Sequence, residues 1–469
     1  MRKTISFVAA FILAAPPAAQ SQDPQQPSSI EAKLDLLLTK LGAVEERLDR
    51  LEQRLGMGGA PESTHAEETA ERIEALDRQI QQLAQSPVVE AGPDGFLLRS
   101  YDEAFKLRIG GYVQADGRFF VGPDQIGANT FILRRVRPIL EGNLYKGLGF
   151  RIMPDFGEGR TSIRDAYGDF HYWPKTSFRF GKYKAPFGLE RLQSSAELTF
   201  IDRSLATALA PDRDVGIQLY GDLGSGFFSY AVAVMNGVPD GESGDFDDND
   251  GKDVIARVFL RPFVAKRDRH ALGGLGFGIA GAGGEQLGSR LPVYKTVAQS
   301  VFFSYAPDVA AAGDRWRFSP QAYYYAGPFG LMTEYVVSSQ DVARAGFGAR
   351  LRNTAWQVAV SYLLTGERRT YRSPAPARPF DPGSESWGGL EVAARFSELS
   401  ADPAAFDRGL ADITISAQRA REWVAGVNWY LARNNKFVFD YEQTRFTGGA
   451  APGNRPTEHG FLTRFQVYF

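Results

Sequence analysis

The chain has 469 residues, enough for two or three soluble domains or one large barrel. Its 53 Lys and Arg balance 55 Asp and Glu to a formal charge of −2, which excludes the global basic signature of a nucleic-acid binder. With no Cys there is neither a disulfide framework nor a thiolate metal site.

The N-terminus reads first. Arg2 and Lys3 precede an apolar run from Ile5 to Ala15, then small residues and Pro. That order of basic, apolar and small-residue regions predicts a signal peptide over residues 1–21, cut near Ala19 to Ser21. The apolar run is too short to cross a bilayer, and no later stretch is long enough to cross as a helix. A membrane form of this chain must therefore cross as strands.

Residues 22–29 are a Pro, Gln and Ser linker. Ile30, Leu34, Leu37, Leu41, Val44, Leu48, Leu51 and Leu55 then alternate in steps of four and three, the a/d seam of a coiled coil. Leu fills every a position and Ile, Leu and Val share d, a pattern that permits a trimer. Gly56 to Pro61 breaks the seam, and Ile73, Leu76, Ile80 and Leu83 resume the spacing in a shifted phase. Residues 22–93 are accordingly expected to form a periplasmic coiled-coil arm with its linkers.

From about Asp94 to Phe469 the texture changes to alternation, the period of a strand with two unlike faces. Leu107, Ile109, Val113, Ala115 and Phe119 share one face, and Lys106, Arg108, Gln114, Asp116 and Arg118 share the other. Similar segments recur at 226–235, 297–305, 314–325, 329–337, 354–364, 388–396, 422–431 and 436–446. At the end, Phe461, Thr463, Phe465, Val467 and Phe469 alternate with Leu462, Arg464, Gln466 and Tyr468. Repeated alternation between aromatic and charged faces, with 50 Gly, 34 Phe and 19 Tyr in the chain, predicts an all-β transmembrane antiparallel barrel. The final aromatic strand resembles the signal read by the outer-membrane insertion machinery.

Motifs for other chemistry are weak. Gly276, Gly278 and Gly281 match G-x-G-x-x-G but sit inside an alternating run with no helix after it, so close strand packing is the expectation. Asp245, Asp247, Asn249 and Asp250 before Gly251 resemble a calcium loop, but the Gly is one place late and Ala256 stands where the bidentate Glu belongs; a solvated extracellular loop is expected. His65, His171, His270 and His459 have no ligand spacing, and no catalytic motif supports an enzyme. No metal or other cofactor is expected.

The basic residues of the first third carry more. Arg134, Arg135 and Arg137 stand in one expected strand, Arg164 opens another, and Lys182, Lys184 and Arg191 flank a third. Adjacent Arg134 and Arg135 cannot both face the lumen of a regular strand, so one of them is expected at a rim, at a bulge or beside lipid headgroups. Each could pair with Asp155, Asp165 or Asp169, or touch lipopolysaccharide. As a set, Arg134, Arg135, Arg164, Lys182, Lys184 and Arg191 could form a cationic wall, since guanidinium groups hold oxyanions bidentately and rings of Arg and Lys select anions at a constriction.

The run Phe131-Ile-Leu-Arg-Arg-Val-Arg-Pro-Ile-Leu-Glu-Gly-Asn-Leu144, then Asp165-Ala-Tyr-Gly-Asp-Phe170, then Phe180-Gly-Lys-Tyr-Lys-Ala-Pro-Phe-Gly-Leu-Glu-Arg-Leu-Gln-Ser-Ser195, resembles the phosphate-selective porin O/P family. Asp214-Val-Gly-Ile-Gln218, Ser361-Tyr-Leu-Leu-Thr-Gly-Glu367, Gly426-Val-Asn-Trp-Tyr430 and Arg464-Phe-Gln-Val-Tyr-Phe469 follow in the same order, so the resemblance covers residues 95–469. It implies a barrel of about 16 strands, usually a homotrimer, narrowed by an inward loop that here runs from about Ala185 to Arg213. It also implies an arginine ladder leading phosphate to a lysine-rich constriction. By motif position Arg134 and Arg135 match ladder arginines. Arg191 stands where a constriction lysine is found, Arg164 where an acidic residue lines the pore, and Tyr112 where a basic residue is carried.

The expected function is passive diffusion of small anions, phosphate or polyphosphate favoured, across the outer membrane of a Gram-negative cell. Two alternatives remain: a general-diffusion porin with little charge preference, and a barrel anchoring its coiled coil as an envelope tether. Expected partners are outer-membrane lipid and lipopolysaccharide, small anions, two further copies of the chain, and the insertion machinery through Phe469.

Overall fold

The computed structural model describes Arg50 and residues 71–78, 86–92, 95–122, 127–247, 249–266 and 270–469. The chain divides into two compact units, Met1–Gln81 and Gln82–Phe469. In the first, residues 71–78 are helical. The expected signal peptide and the seam from Ile30 to Leu55 lie outside the described residues, Arg50 excepted. Among the described residues no helix is long and apolar enough to cross a membrane.

The second unit opens with an antiparallel pair, β1 (Val88–Gly92) and β2 (Gly95–Arg99), in register from Val88 opposite Arg99 to Gly92 opposite Gly95. The expected boundary between residues 93 and 94 lies between β1 and β2. Strands then follow as β3 (Lys106–Phe120), β4 (Thr130–Tyr145), β5 (Leu148–Asp155), β6 (Ser162–Trp173), β7 (Thr176–Lys184), β8 (Arg213–Leu223), β9 (Phe228–Met235), β10 (Asp253–Leu260) and β11 (Leu275–Gly288). After a short ribbon, β12 (Tyr294–Lys295) and β13 (Val301–Phe303), come β14 (Ala310–Ala326), β15 (Phe329–Arg344), β16 (Phe347–Leu363), β17 (Gly389–Ser400), β18 (Ala417–Ala432), β19 (Asn435–Gly448) and β20 (Glu458–Tyr468). Each barrel strand pairs antiparallel with the next, and β20 pairs with β3, giving a closed barrel of 16 strands. Closure leaves no unpaired edge, which a sheet in lipid requires.

The alternation read from sequence is the barrel's two faces. On β3, Ile109 and Val113 face out while Gln114, Asp116 and Arg118 are buried inside. On β20, Phe461, Phe465 and Phe469 are exposed while Leu462, Arg464 and Gln466 are buried. Rings gather at the two rims, as in aromatic girdles: Tyr172, Trp173 and Phe178 at one, Phe119 and Phe131 at the other. The segment 297–305 departs from the expectation. Only Val301–Phe303 is extended; it pairs with Tyr294–Lys295 inside the loop 289–309 and crosses nothing. Tyr294, Val297, Phe302 and Phe303 are buried there while Val301 is exposed, so burial in this inward-folded loop does not follow the alternation of the sequence. Gly276, Gly278 and Gly281 lie in β11; a Cβ at Gly278 would come within 2.3 Å of the Val258 carbonyl oxygen, the close strand packing expected.

Connections sort by end. The termini of the barrel share one end with the short turns at 146–147, 174–175, 224–227, 327–328 and 433–434. The opposite end carries the loops 156–161, 185–212, 236–252, 289–309 and 401–416. Three connections depart from this sorting: 345–346 is a two-residue turn at the long-loop end, and 261–274 and 364–388 are long segments at the short-turn end, the latter sending Arg369 into the lumen against Glu391 at 2.7 Å.

Candidate functional site

Loop 185–212 leaves the wall after β7 and crosses the lumen. Its first turn, the short helix Leu189–Leu192, is held by Glu334 on β15, whose carboxylate accepts from the Leu189 amide at 2.8 Å and the Glu190 amide at 3.3 Å. Gly188 precedes that helix at φ 77°, where a Cβ would stand 3.0 Å from the Glu334 oxygen, so the anchor favours glycine. Further on, Lys436 donates to the Leu198 carbonyl at 2.7 Å, Asn428 to Thr199 at 2.9 Å, and the Ile201 amide donates to Asp440 at 2.7 Å. The loop is thus pinned to β15, β18 and β19, across from the strands that carry the basic residues.

Two bulges aim those residues. Opposite β4, Gln114 pairs with Arg135 and Ala115 with Leu133, so Arg134 is the extra residue of a bulge. This resolves the parity conflict: both neighbours turn inward, Arg134 to Glu158 at 2.7 Å and to Asp202 at 3.4 Å, Arg135 to Asp202 at 3.1 Å and Gln114 at 2.7 Å. On β6 the register slips between Met153 and Pro154, leaving Arg164 unpaired between Ile163 and Asp165. Arg164 then reaches Asp212 at 2.5 Å. On β7, Gly181 at φ 126° interrupts the pleat, and a Cβ there would strike the Ala166 carbonyl at 2.3 Å. Beyond it Lys182 and Tyr183 are both buried inside.

Loop 185–212 divides two chambers. The one toward the long loops has a volume of about 870 Å³ and is lined by nine cations and six carboxylates, with no aromatic ring. Five of the six residues singled out by sequence meet there: Arg134, Arg135, Arg164, Lys182, which pairs with Asp245, and Arg191, which donates to the Thr207 carbonyl. The sixth, Lys184, faces the other chamber and donates to the carbonyls of Leu192, at 3.2 Å, and Gln193. Arg137 also lines the first chamber and pairs with Asp155 at 2.7 Å, one of the partners expected. The other expected carboxylates take different arginines, Asp165 with Arg213 and Asp169 with Arg179, both at 2.8 Å. Sequence reasoning missed Arg160, Arg203, Lys295 and the two central carboxylates, Asp202 and Asp212. The acidic loop 245–251 is tied down rather than free, through Lys182–Asp245 and Lys252–Asp247 at 2.8 Å.

Burial opposes charge on Asp202, but Arg134, Arg135, Arg464 and Arg118 outweigh it and hold the carboxyl far below its usual range. Asp212 behaves alike: burial raises it, and Arg213, Arg164, Arg191 and Arg203 bring it well below. Arg203 is pressed down to about 10 by burial and by Arg191, so it keeps its charge at neutral pH. Asp202, Asp212 and Arg203 therefore all carry their charge at neutral pH.

The barrel is similar in fold to solved outer-membrane proteins. The channel DcaP of Acinetobacter baumannii aligns with a TM-score of 0.52 at 12% identity, over 78% of this chain and 98% of that one. OmpT of Vibrio cholerae aligns at 0.50 with 11% identity, over 78% and 98%. In sequence the chain is 24% identical to Porin O of Pseudomonas aeruginosa over 418 residues, 80% of this chain and 91% of that protein. The family described as phosphate-selective porin O and P matches residues 107–273 and 298–469, nearly the whole closed barrel and both walls of the charged chamber, and the chain belongs to that family of outer-membrane porins.

Proposed function

We propose that this porin passes small anions by diffusion, with phosphate or polyphosphate favoured, and that loop 185–212 is its constriction. One observation carries the reading: nine cations converge against six carboxylates in the chamber above the loop. Local excess positive charge in a narrow, low-dielectric mouth raises the local anion concentration and lowers the barrier for anions over cations. Arg134, Arg135, Arg164, Lys182 and Arg191 line the entrance, and Lys184 stands beyond it. The printed name of the relative, Porin O, supports phosphate as the first solute to try. The working form is a homotrimer in outer-membrane lipid and lipopolysaccharide, with the N-terminal arm in the periplasm.

The test is reversal potential in planar bilayers under a potassium chloride gradient, repeated with phosphate. Anion-selective potentials, reduced by Arg135→Gln with Arg164→Gln, are the expected result. Equal permeability to potassium and chloride would instead favour a general-diffusion pore.

A further inference from the structure

The chamber on the short-turn side of the loop differs in chemistry from the first. It measures about 440 Å³, within the roughly 300–1,000 Å³ of small-molecule sites. Its walls include Tyr112, Tyr167, Tyr183 and Tyr220, together with Met153 and Leu192. Inorganic phosphate needs donors and cations; it gains little from rings. An aromatic wall is matched by a ligand with an apolar body, because buried ring contact adds stabilisation beyond the area removed from water.

The same chamber keeps polar capacity in reserve. Arg257 lines it with no carboxylate at ion-pair distance among the described residues; its Nε and one Nη both donate to the single oxygen of Gln321, at 3.1 and 3.0 Å. The Tyr183 hydroxyl is buried and has no hydrogen-bond partner, on a side chain only 1% exposed. A buried hydroxyl without a partner is costly, so it is most stable when a ligand oxygen meets it. Most of the remaining charge is already matched: Arg179 is bidentate to Asp169 at 2.9 and 2.8 Å and lies 4.0 Å over the Tyr167 ring. Five cations and three carboxylates line the cavity, a smaller positive excess than in the first chamber.

We propose that this second chamber is a binding site for phosphate monoesters with an aromatic body, Arg257 and the Tyr183 hydroxyl taking the phosphate oxygens and the tyrosine wall taking the ring. It rests on the anion-porin reading and extends it to a ligand class. The ring separates such an ester from inorganic phosphate, which the first chamber can hold unaided.

The experiment measures block of chloride current through the full chain in planar bilayers, with phenyl phosphate, inorganic phosphate and phenol as probes. Phenyl phosphate should halve the current at about one-tenth the concentration that inorganic phosphate requires. Phenol should not block. Arg257→Gln and Tyr183→Phe should each weaken phenyl phosphate block by about threefold or more while moving inorganic phosphate block less than about twofold, and Arg257→Lys should retain most of the block. Heat-modifiable migration of each variant on gels verifies its barrel before the comparison. Equal potency of phenyl phosphate and inorganic phosphate, or block indifferent to both Arg257→Gln and Tyr183→Phe, overturns the site. A channel with no anion preference would sink the anion-porin reading through its reversal potential, while the potency ratio would still decide this one.

Discussion

Asp202 is the residue on which the arginine cluster turns. Arg134 and Arg135 both bond to it and Arg118 stands 3.8 Å away, so Asp202→Asn leaves three guanidinium groups facing one another. Breaking a buried pair from one side costs about 3 kcal/mol. The variant should unfold at lower temperature in detergent, yet show a higher chloride-to-potassium permeability ratio. Its pH signature follows from sign. The folded carboxyl lies far below its unfolded value near 4. Its stabilisation is therefore complete above about pH 4 and is lost as pH falls further toward the folded value. Wild-type stability should be insensitive to this group between pH 7 and 5 and decline below about pH 4; in Asp202→Asn that acid limb should be shallower. The cations of this cluster were legible because charges in an alternating strand have nowhere dry to go. Asp202 was not, since it sits in a loop whose residues carry no period.

At the scale of elements, the decisive feature is the tether between loop 185–212 and the far wall. Glu334→Ala removes the acceptor of the Leu189 and Glu190 amides, at a cost of about 1–3 kcal/mol for the orphaned donors. A loosened crossing should raise single-channel conductance and open-channel noise, with the barrel still resistant to heating in SDS. Unchanged conductance would mean that the bonds to Lys436, Asn428 and Asp440 hold the loop alone. The strands were readable because lipid and water impose a strict two-residue period on each. Inward loops obey no such rule. Val297, Val301 and Phe303 alternate in sequence but not in burial inside loop 289–309, and the segment 364–388 entering from the opposite end had no signal at all. Bulges fall between these cases: Arg134 beside Arg135 demanded an irregularity, and the register slip supplies it.

For the whole molecule, closure is a contact between the first and last barrel strands, β3 and β20. The Phe469 amide donates to the Gly111 carbonyl at 2.9 Å and the Phe469 carbonyl accepts from the Gly111 amide at 2.7 Å, continuing the β20–β3 seam. Deleting Phe469 removes those bonds and a half-exposed ring, about 1.5–3 kcal/mol at most from the ring in a large barrel. Refolding in detergent should be nearly normal; on the expectation that the terminal aromatic is an assembly signal, insertion in cells should drop sharply, and normal surface levels would refute that role. A chain beginning at Ser86 behind a signal peptide, which keeps the β1–β2 pair, should insert and conduct, as read by bilayer recordings. The upper chamber also has a kinetic consequence. Arg134, Arg135, Arg164, Lys182 and Arg191 each hold a resident carboxylate within 4 Å, tethered to the same chain. A passing anion competes with an intramolecular ligand whose effective concentration is in the millimolar range or above. On the proposed anion path, each departure would be assisted by a side chain returning to its partner, so the mouth would exchange ions rather than store them, with short residence even where attraction is strong.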